Sequence, residues 1–202
     1  MSGNLYNLFS ERFRDHLTRT CIETDDGRRF TYGDLEEISA RYARFLTELG
    51  LKPGDRVGVQ VEKTAQALFF YLGCLRANLI YLPLNTAYQQ TEVGFFLRDA
   101  EPRFVLCDPK AEATMRALAS RQGITKVFTL DAQGQGSLLE ASAGTAPDFA
   151  VPYQAATWCG RFPIRIAARS PGATPARSSP VAIREARRSS SAKLHCRSGS
   201  SK

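Results

Sequence analysis

The sequence has only two histidines, two methionines and one tryptophan among 202 residues, and none of its five cysteines belongs to a C-x-x-C pair. His195-Cys196 stands isolated, so no Cys/His cluster has the spacing of a metal site. The odd cysteine count does not suit a closed disulfide framework. Cys74 and Cys107 lie in apolar runs, where a free thiol behaves as a small hydrophobe. No window of about 18 residues is both apolar and uncharged, which excludes a membrane-spanning helix. Charges break the apolar positions of MSGNLYNLFSERFRDH, so it is no signal peptide. These absences point to a reducing, cytoplasmic setting.

The net charge of +7 is unevenly spread: residues 1–150 hold 17 Lys/Arg against 19 Asp/Glu (−2), and residues 151–202 hold 10 against 1 (+9). With 43% apolar residues the first part can bury a core. In the last 52 residues Ser, Arg and Ala account for 26 and prolines for five, a composition that cannot offset chain entropy by burial. A disordered tail is expected over 151–202, after a folded domain over 1–150.

The central stretch is Gly54 to Asn85. Val57, Val59 and Val61 alternate as in a strand, Thr64 can cap a helix over Ala65–Asn78, and Leu79–Leu82 gives a second strand stopped by Pro83. Two strands joined through a helix pair in parallel. The helix is apolar nearly all round, so it should be buried on most sides. If part of it is left bare, the chain self-associates or aggregates.

Leu5, Leu8, Phe9 and Phe13 predict an amphipathic helix over residues 4–16. His16 ends it, where a cationic ring complements the helix dipole. Asp25-Asp26-Gly27 marks a hairpin. Thr31 with Asp34 caps a helix striped by Leu35, Ile38, Tyr42, Phe45 and Leu49 and closed by Gly50. Thr91 is expected to cap a helix carrying Val93, Phe95, Phe96 and Leu97. A strand follows over Arg103–Asp108, then a helix over Ala111–Gln122 and a strand over Ile124–Leu130. The alternation predicts an α/β fold, a mostly parallel sheet with flanking helices.

Chemistry is harder to find. Gly134-x-Gly136 follows a strand, but the third glycine of a dinucleotide fingerprint is replaced by Leu139, so a flexible turn is expected. There is no nucleophile elbow and no Walker loop. The basic tail could neutralise phosphates, yet its arginines are scattered, and Tyr153, Trp158 and Phe162 all precede its Arg/Ser-rich part. Without stacking aromatics among the charges, a nucleic-acid arm is disfavoured. No residue qualifies as catalytic, cofactor-binding or metal-ligating.

Four blocks change the reading: Phe30-Thr-Tyr-Gly-Asp-Leu35, Leu51-Lys-Pro-Gly-Asp-Arg-Val-Gly-Val59, Ala77-Asn-Leu-Ile-Tyr-Leu-Pro-Leu-Asn-Thr-Ala-Tyr88 and Asp99-Ala-Glu-Pro-Arg-Phe-Val-Leu-Cys-Asp108. In this order and spacing they resemble the N-terminal part of the adenylate-forming, AMP-binding acyl-CoA synthetases, most of all the malonate–CoA ligase branch. The likeness runs over residues 4 to 149. It implies that a carboxylate and ATP, with magnesium, form an acyl-adenylate, from which coenzyme A displaces AMP. It also implies a Gly- and Thr-rich phosphate-binding loop soon after residue 150, whose main-chain N–H groups wrap the phosphates. Ser170-Pro-Gly-Ala-Thr-Pro175 lacks those donors at its prolines, and Ser198-Gly-Ser-Ser-Lys202 has no strand before it. The chain is therefore expected to be a truncated synthetase, inactive alone. A non-catalytic interaction module on the same scaffold is the alternative.

The turn to Arg, Ala, Ser and Pro near residue 150 is what a GC-rich coding sequence read out of frame produces. Translating the DNA beyond codon 150 in the other two frames is expected to recover the phosphate loop. Its absence from both frames would make the basic segment a genuine addition.

Overall fold

Asn4 opens the first helix, its side chain accepting the Tyr6 N–H at 2.7 Å, in a computed structural model that describes residues 4–151. The tail expected to be disordered thus lies, apart from Val151, outside the described residues. Helix α1 spans Leu5–Phe13 and ends in a 3-10 turn, Arg14–His16. Its inward face differs from the expected stripe. Tyr6 is buried and Leu8 exposed, while Phe9 and Phe13 pack at the edge of the core. The rotation follows from the Tyr6 hydroxyl, which has a buried polar partner that Leu8 could not serve.

Strands β1 (Thr20–Glu23) and β2 (Arg29–Thr31) form the expected antiparallel ribbon. Helix α2, Tyr32–Glu48, starts on a full capping box: Thr31 Oγ1 accepts the Asp34 N–H at 3.1 Å, and the Asp34 carboxylate accepts the Thr31 N–H at 2.7 Å. The shorter aspartate serves where glutamate is usual. Gly50 takes the left-handed conformation predicted for it.

Strand β3 (Arg56–Gln60), helix α3 (Ala65–Arg76) and strand β4 (Ile80–Pro83) realise the central unit, with β3 and β4 parallel. Thr64 Oγ1 accepts the Ala67 N–H at 3.1 Å. Helix α4 (Gln90–Ala100) begins two residues earlier than expected. Its N-cap is Gln89, whose N–H donates to the Glu92 carboxylate at 2.8 Å, and not Thr91. Glu92 stands three residues after Gln89 and can reach back to it, whereas Thr91 already lies inside the first turn. Strand β5 (Phe104–Cys107), helix α5 (Glu112–Ser120), strand β6 (Val127–Thr129) and helix α6 (Ser137–Ser142) complete the order.

The parallel sheet runs β4-β3-β5-β6. In β3, Val57 faces Tyr81 on one side and Phe104 on the other. Alternate residues of β5 feed two cores. Phe104 and Leu106 join Val57, Val59 and the apolar faces of α2 and α3. Val105 and Cys107 join Val93 and Leu97 of α4 with Met115 and Ala119 of α5. The sheet is therefore covered on both faces, as all-parallel sheets are.

Helix α3 is buried on most sides as its composition requires; among its large apolar side chains Leu68 is exposed. Its tightest contact is with α2. A Cβ on Gly73 would lie 2.7 Å from Tyr42 Cβ and 3.1 Å from the Ser39 carbonyl oxygen, so the two backbones approach closer than any side chain permits. Gly73→Ala is expected to lower stability by about 1–3 kcal/mol, although alanine is the better helix former by about 1 kcal/mol. Gly144→Ala, with open space around it, is expected to be nearly neutral. Equal urea midpoints for the two variants would contradict the close-contact reading.

Candidate functional site

In an open parallel sheet, ligands bind beyond the carboxyl ends of the strands where the strand order reverses. Here that place lies between β3 and β5, because the chain goes from β3 to β4 and then returns to the other side of β3. The residues following those strands are Val61-Glu62-Lys63-Thr64 and Asp108-Pro109-Lys110. Their polar side chains are largely spent on local structure. Thr64 caps α3, and the Asp108 carboxylate accepts the Lys110 N–H at 2.8 Å. Buried Gln60 donates through Nε2 to the Asn85 carbonyl at 2.9 Å and the Tyr88 carbonyl at 3.2 Å, fixing the polar loop after β4. Glu62 and Lys63 stand exposed.

Beside this rim, Lys63, Thr64, Leu68 and Tyr71 form one wall of a groove of about 790 Å³, with Asp25, Asp26 and Arg28 of the hairpin opposite. Arg28 is engaged with Asp26 at 2.8 Å. Tyr81 also lines the groove; burial pushes its hydroxyl up to about 12, with smaller contributions from Cys74 and Tyr71.

Two buried thiols lie among the described residues. Burial pushes the Cys107 thiol up to about 12 and the Cys74 thiol still higher, so neither is a thiolate near neutral pH. His16 is exposed at the end of its turn, its ring 6.4 Å from that of Tyr32. No group of three or more His, Cys, Asp or Glu side chains that could hold a metal occurs among the described residues. The His195-Cys196 pair and the stretches at 170–175 and 198–202 lie outside the described residues.

Gly134–Gly136 forms a turn, as expected, and side-chain contacts shape it. The Asp131 carboxylate accepts the N–H groups of Gln133 and Gln135 at 2.9 and 2.7 Å. Gly136, at φ 141°, sits where a Cβ would lie 2.4 Å from the Thr129 carbonyl oxygen. Its glycine serves a close main-chain approach to β6 rather than a phosphate.

One polar cluster escaped sequence reasoning. Arg76 is 8% exposed. Its Nη1 bonds the Glu36 carboxylate at 3.0 Å, the Glu36 carbonyl at 3.0 Å, Ser39 Oγ at 3.2 Å and the Tyr6 hydroxyl. Nη2 donates to the Phe149 carbonyl at 3.2 Å, and the guanidinium carbon lies 4.5 Å from the Tyr6 ring centroid. Burial pushes the Tyr6 hydroxyl above the ordinary tyrosine range. The cluster joins α1, α2, α3 and the segment after α6, touches neither groove nor strand ends, and is architectural. An arginine closing an otherwise apolar helix was the available signal.

Comparison with known proteins follows the same lines as the fold. A family model described as "AMP-binding enzyme" matches residues 9–183. The chain belongs to the AMP-binding enzyme family. The match runs beyond residue 149, where the likeness read from the sequence was expected to end. MatB from Rhodopseudomonas palustris, solved without ligand, is 40% identical with a TM-score of 0.72, covering 77% of this chain and 30% of that one. Its ATP-bound structure matches at 39% identity and a TM-score of 0.73, with the same coverage. The probable CoA ligase CCL9 of Humulus lupulus is 32% identical over 132 residues, 65% of this chain and 25% of its own length. Bacitracin synthase 3 of Bacillus licheniformis is 35% identical over 101 residues, half of this chain and 2% of its own. The chain thus spans under a third of the length of these relatives. Its described residues have the fold of the N-terminal part of adenylate-forming acyl-CoA synthetases, and none of their helices is long and apolar enough to cross a membrane.

The half-buried Tyr81 hydroxyl carries a pH signature. Its folded-state value lies above the unfolded one of about 10, so its contribution to stability is whole below pH ~10 and is lost as pH rises toward the folded value. Tyr81→Phe is expected to lose less stability on going from neutral pH into that alkaline range than the parent does. Superimposable pH profiles of the melting temperature would contradict this.

Proposed function

We propose that this chain supplies the first sheet of an acid–thiol ligase, in which a carboxylate, ATP and coenzyme A give an acyl-CoA, AMP and pyrophosphate. The observation that carries the reading is the 40% identity to MatB across 77% of the chain, a span that takes in the β3–α3–β4 unit. It is supported by the relation to a probable CoA ligase. Malonate is the acid favoured, because Pro83-Leu-Asn-Thr-Ala-Tyr88 followed by Asp99-Ala-Glu-Pro102 resembles the malonate–CoA ligase branch.

In this reading the described residues are scaffold. Gln60 holds the loop after β4, and Gly73 and Arg76 hold the helices behind the sheet. ATP with its magnesium, and coenzyme A, would be held by residues other than 4–151. Because the sequence contains no Gly- and Thr-rich phosphate loop, the 202-residue chain adenylates nothing alone. Free Cys21, Cys74 and Cys107 support a reducing, cytoplasmic setting.

Carboxylate-dependent ATP–pyrophosphate exchange tests both parts. The isolated chain is expected to show none with malonate or other short acids, and measurable exchange would sink the inactivity claim. A chimera in which residues 4–151 replace the aligned part of MatB is expected to retain exchange with MatB's own acid. A folded but inactive chimera would overturn the scaffold reading.

A further inference from the structure

Residues 146–151 are attached in a way unlike the rest of the fold. Among the described residues they belong to no helix or strand, and no main-chain ladder holds them. Two arginines from different helices hold them instead. Arg44 of α2 donates through Nη1 to the Asp148 carboxylate at 2.7 Å and to its carbonyl at 3.4 Å. Arg76 of α3 donates to the Phe149 carbonyl at 3.2 Å. The Phe149 and Val151 side chains pack against the larger core.

Beside them is an open pocket of about 530 Å³ lined by Tyr6, Ser10, Glu36 and Arg76 together with Phe149 and Val151. Two buried atoms of that wall, Glu36 Oε1 and Arg76 Nε, have no hydrogen-bond partner among the described residues. The Arg44–Asp148 pair is far more exposed than the Arg76–Glu36 pair, with side-chain exposures of 40% and 77% against 10% and 25%. Water and salt therefore reach the outer contact and hardly the inner one.

We infer that residues 146–151 form a strap that opens as a local unit, latched by Arg44 and closing over the Arg76–Glu36 pair. Opening detaches the Phe149 carbonyl from Arg76 and admits water to the unpartnered atoms, while α2, α3 and the sheet stay folded. Local openings of this kind need few buried contacts and few ladder bonds to break. The strap leads directly into the chain beyond Val151, so a pull on that segment reaches the α1–α2–α3 cluster through Phe149.

The test is limited chymotrypsin digestion of the full chain, with mass spectrometry following the rate of cleavage after Phe149, whose side chain packs against the core while the strap is closed. Asp148→Asn leaves the Arg44–Glu48 contact intact, and Arg44→Ala removes both. Cleavage after Phe149 is expected to be about two- to fivefold faster in either variant, the factor an exposed ion pair supports, with cleavage within α2 and α3 unchanged. Raised ionic strength, with a short unstructured substrate as the reference for the protease, is expected to speed that cleavage in the parent and to have no further effect in the variants. Cleavage after Phe149 as slow as that within α2 and α3, or unaltered by either substitution, would overturn the proposal.

Discussion

The contact between α2 and α3 at Gly73 is the constraint on which the rest of the structure depends. With no side chain there, Tyr42 and the Ser39 carbonyl come against the α3 backbone. Arg76, one turn further along α3, is thereby placed against Glu36 and Ser39 of α2. A wider helix separation would leave that guanidinium buried and unpaired, a heavier cost than the pair itself returns. Close packing and ion pairing are thus one event, and α1 follows from it: Tyr6 turns inward to meet Arg76, and Leu8 is left in solvent.

From this helix pair the order propagates to the sheet. Phe69 and Phe70 of α3 are fully buried, Phe70 packing on Tyr42 and Phe104, so the α2–α3 layer is keyed to the central strands β3 and β5. Their carboxyl ends then form a rim whose polar groups hold caps and loops. Thr64, Asp108 and Gln60 each have a main-chain partner there, and Glu62 and Lys63 stand exposed beside them. The aligned stretch covers 30% of MatB, and the scaffold role proposed above accords with that share.

Local structure was legible because it rests on neighbours in sequence. The Thr31–Asp34 box, the Thr64 cap and the valine alternation of β3 need only a few consecutive residues. The failures were also local in kind. Thr91 looked like a cap, but Gln89 had the better partner in Glu92. Ile124 to Leu130 looked like one long strand, but the ladder with β5 spans Val127 to Thr129, because pairing length is set by the neighbour and not by β-propensity. Two glycines announce the turn at 134–136, but the Asp131 carboxylate that accepts the Gln133 and Gln135 N–H groups is a contact the glycines themselves do not signal.

The sequence by itself determined the α/β class, the parallel pairing of the central unit and the family, since periodicity, caps and ordered blocks are written along the chain. Only the tertiary structure decided what Arg76, Gly73 and Gln60 are for. Their partners lie on other elements: Tyr6 is seventy residues from Arg76, and Tyr88 twenty-eight from Gln60. A charge on an apolar helix signals that a partner exists. Which partner it is depends on how far apart two helices settle, and that distance was fixed by one missing side chain.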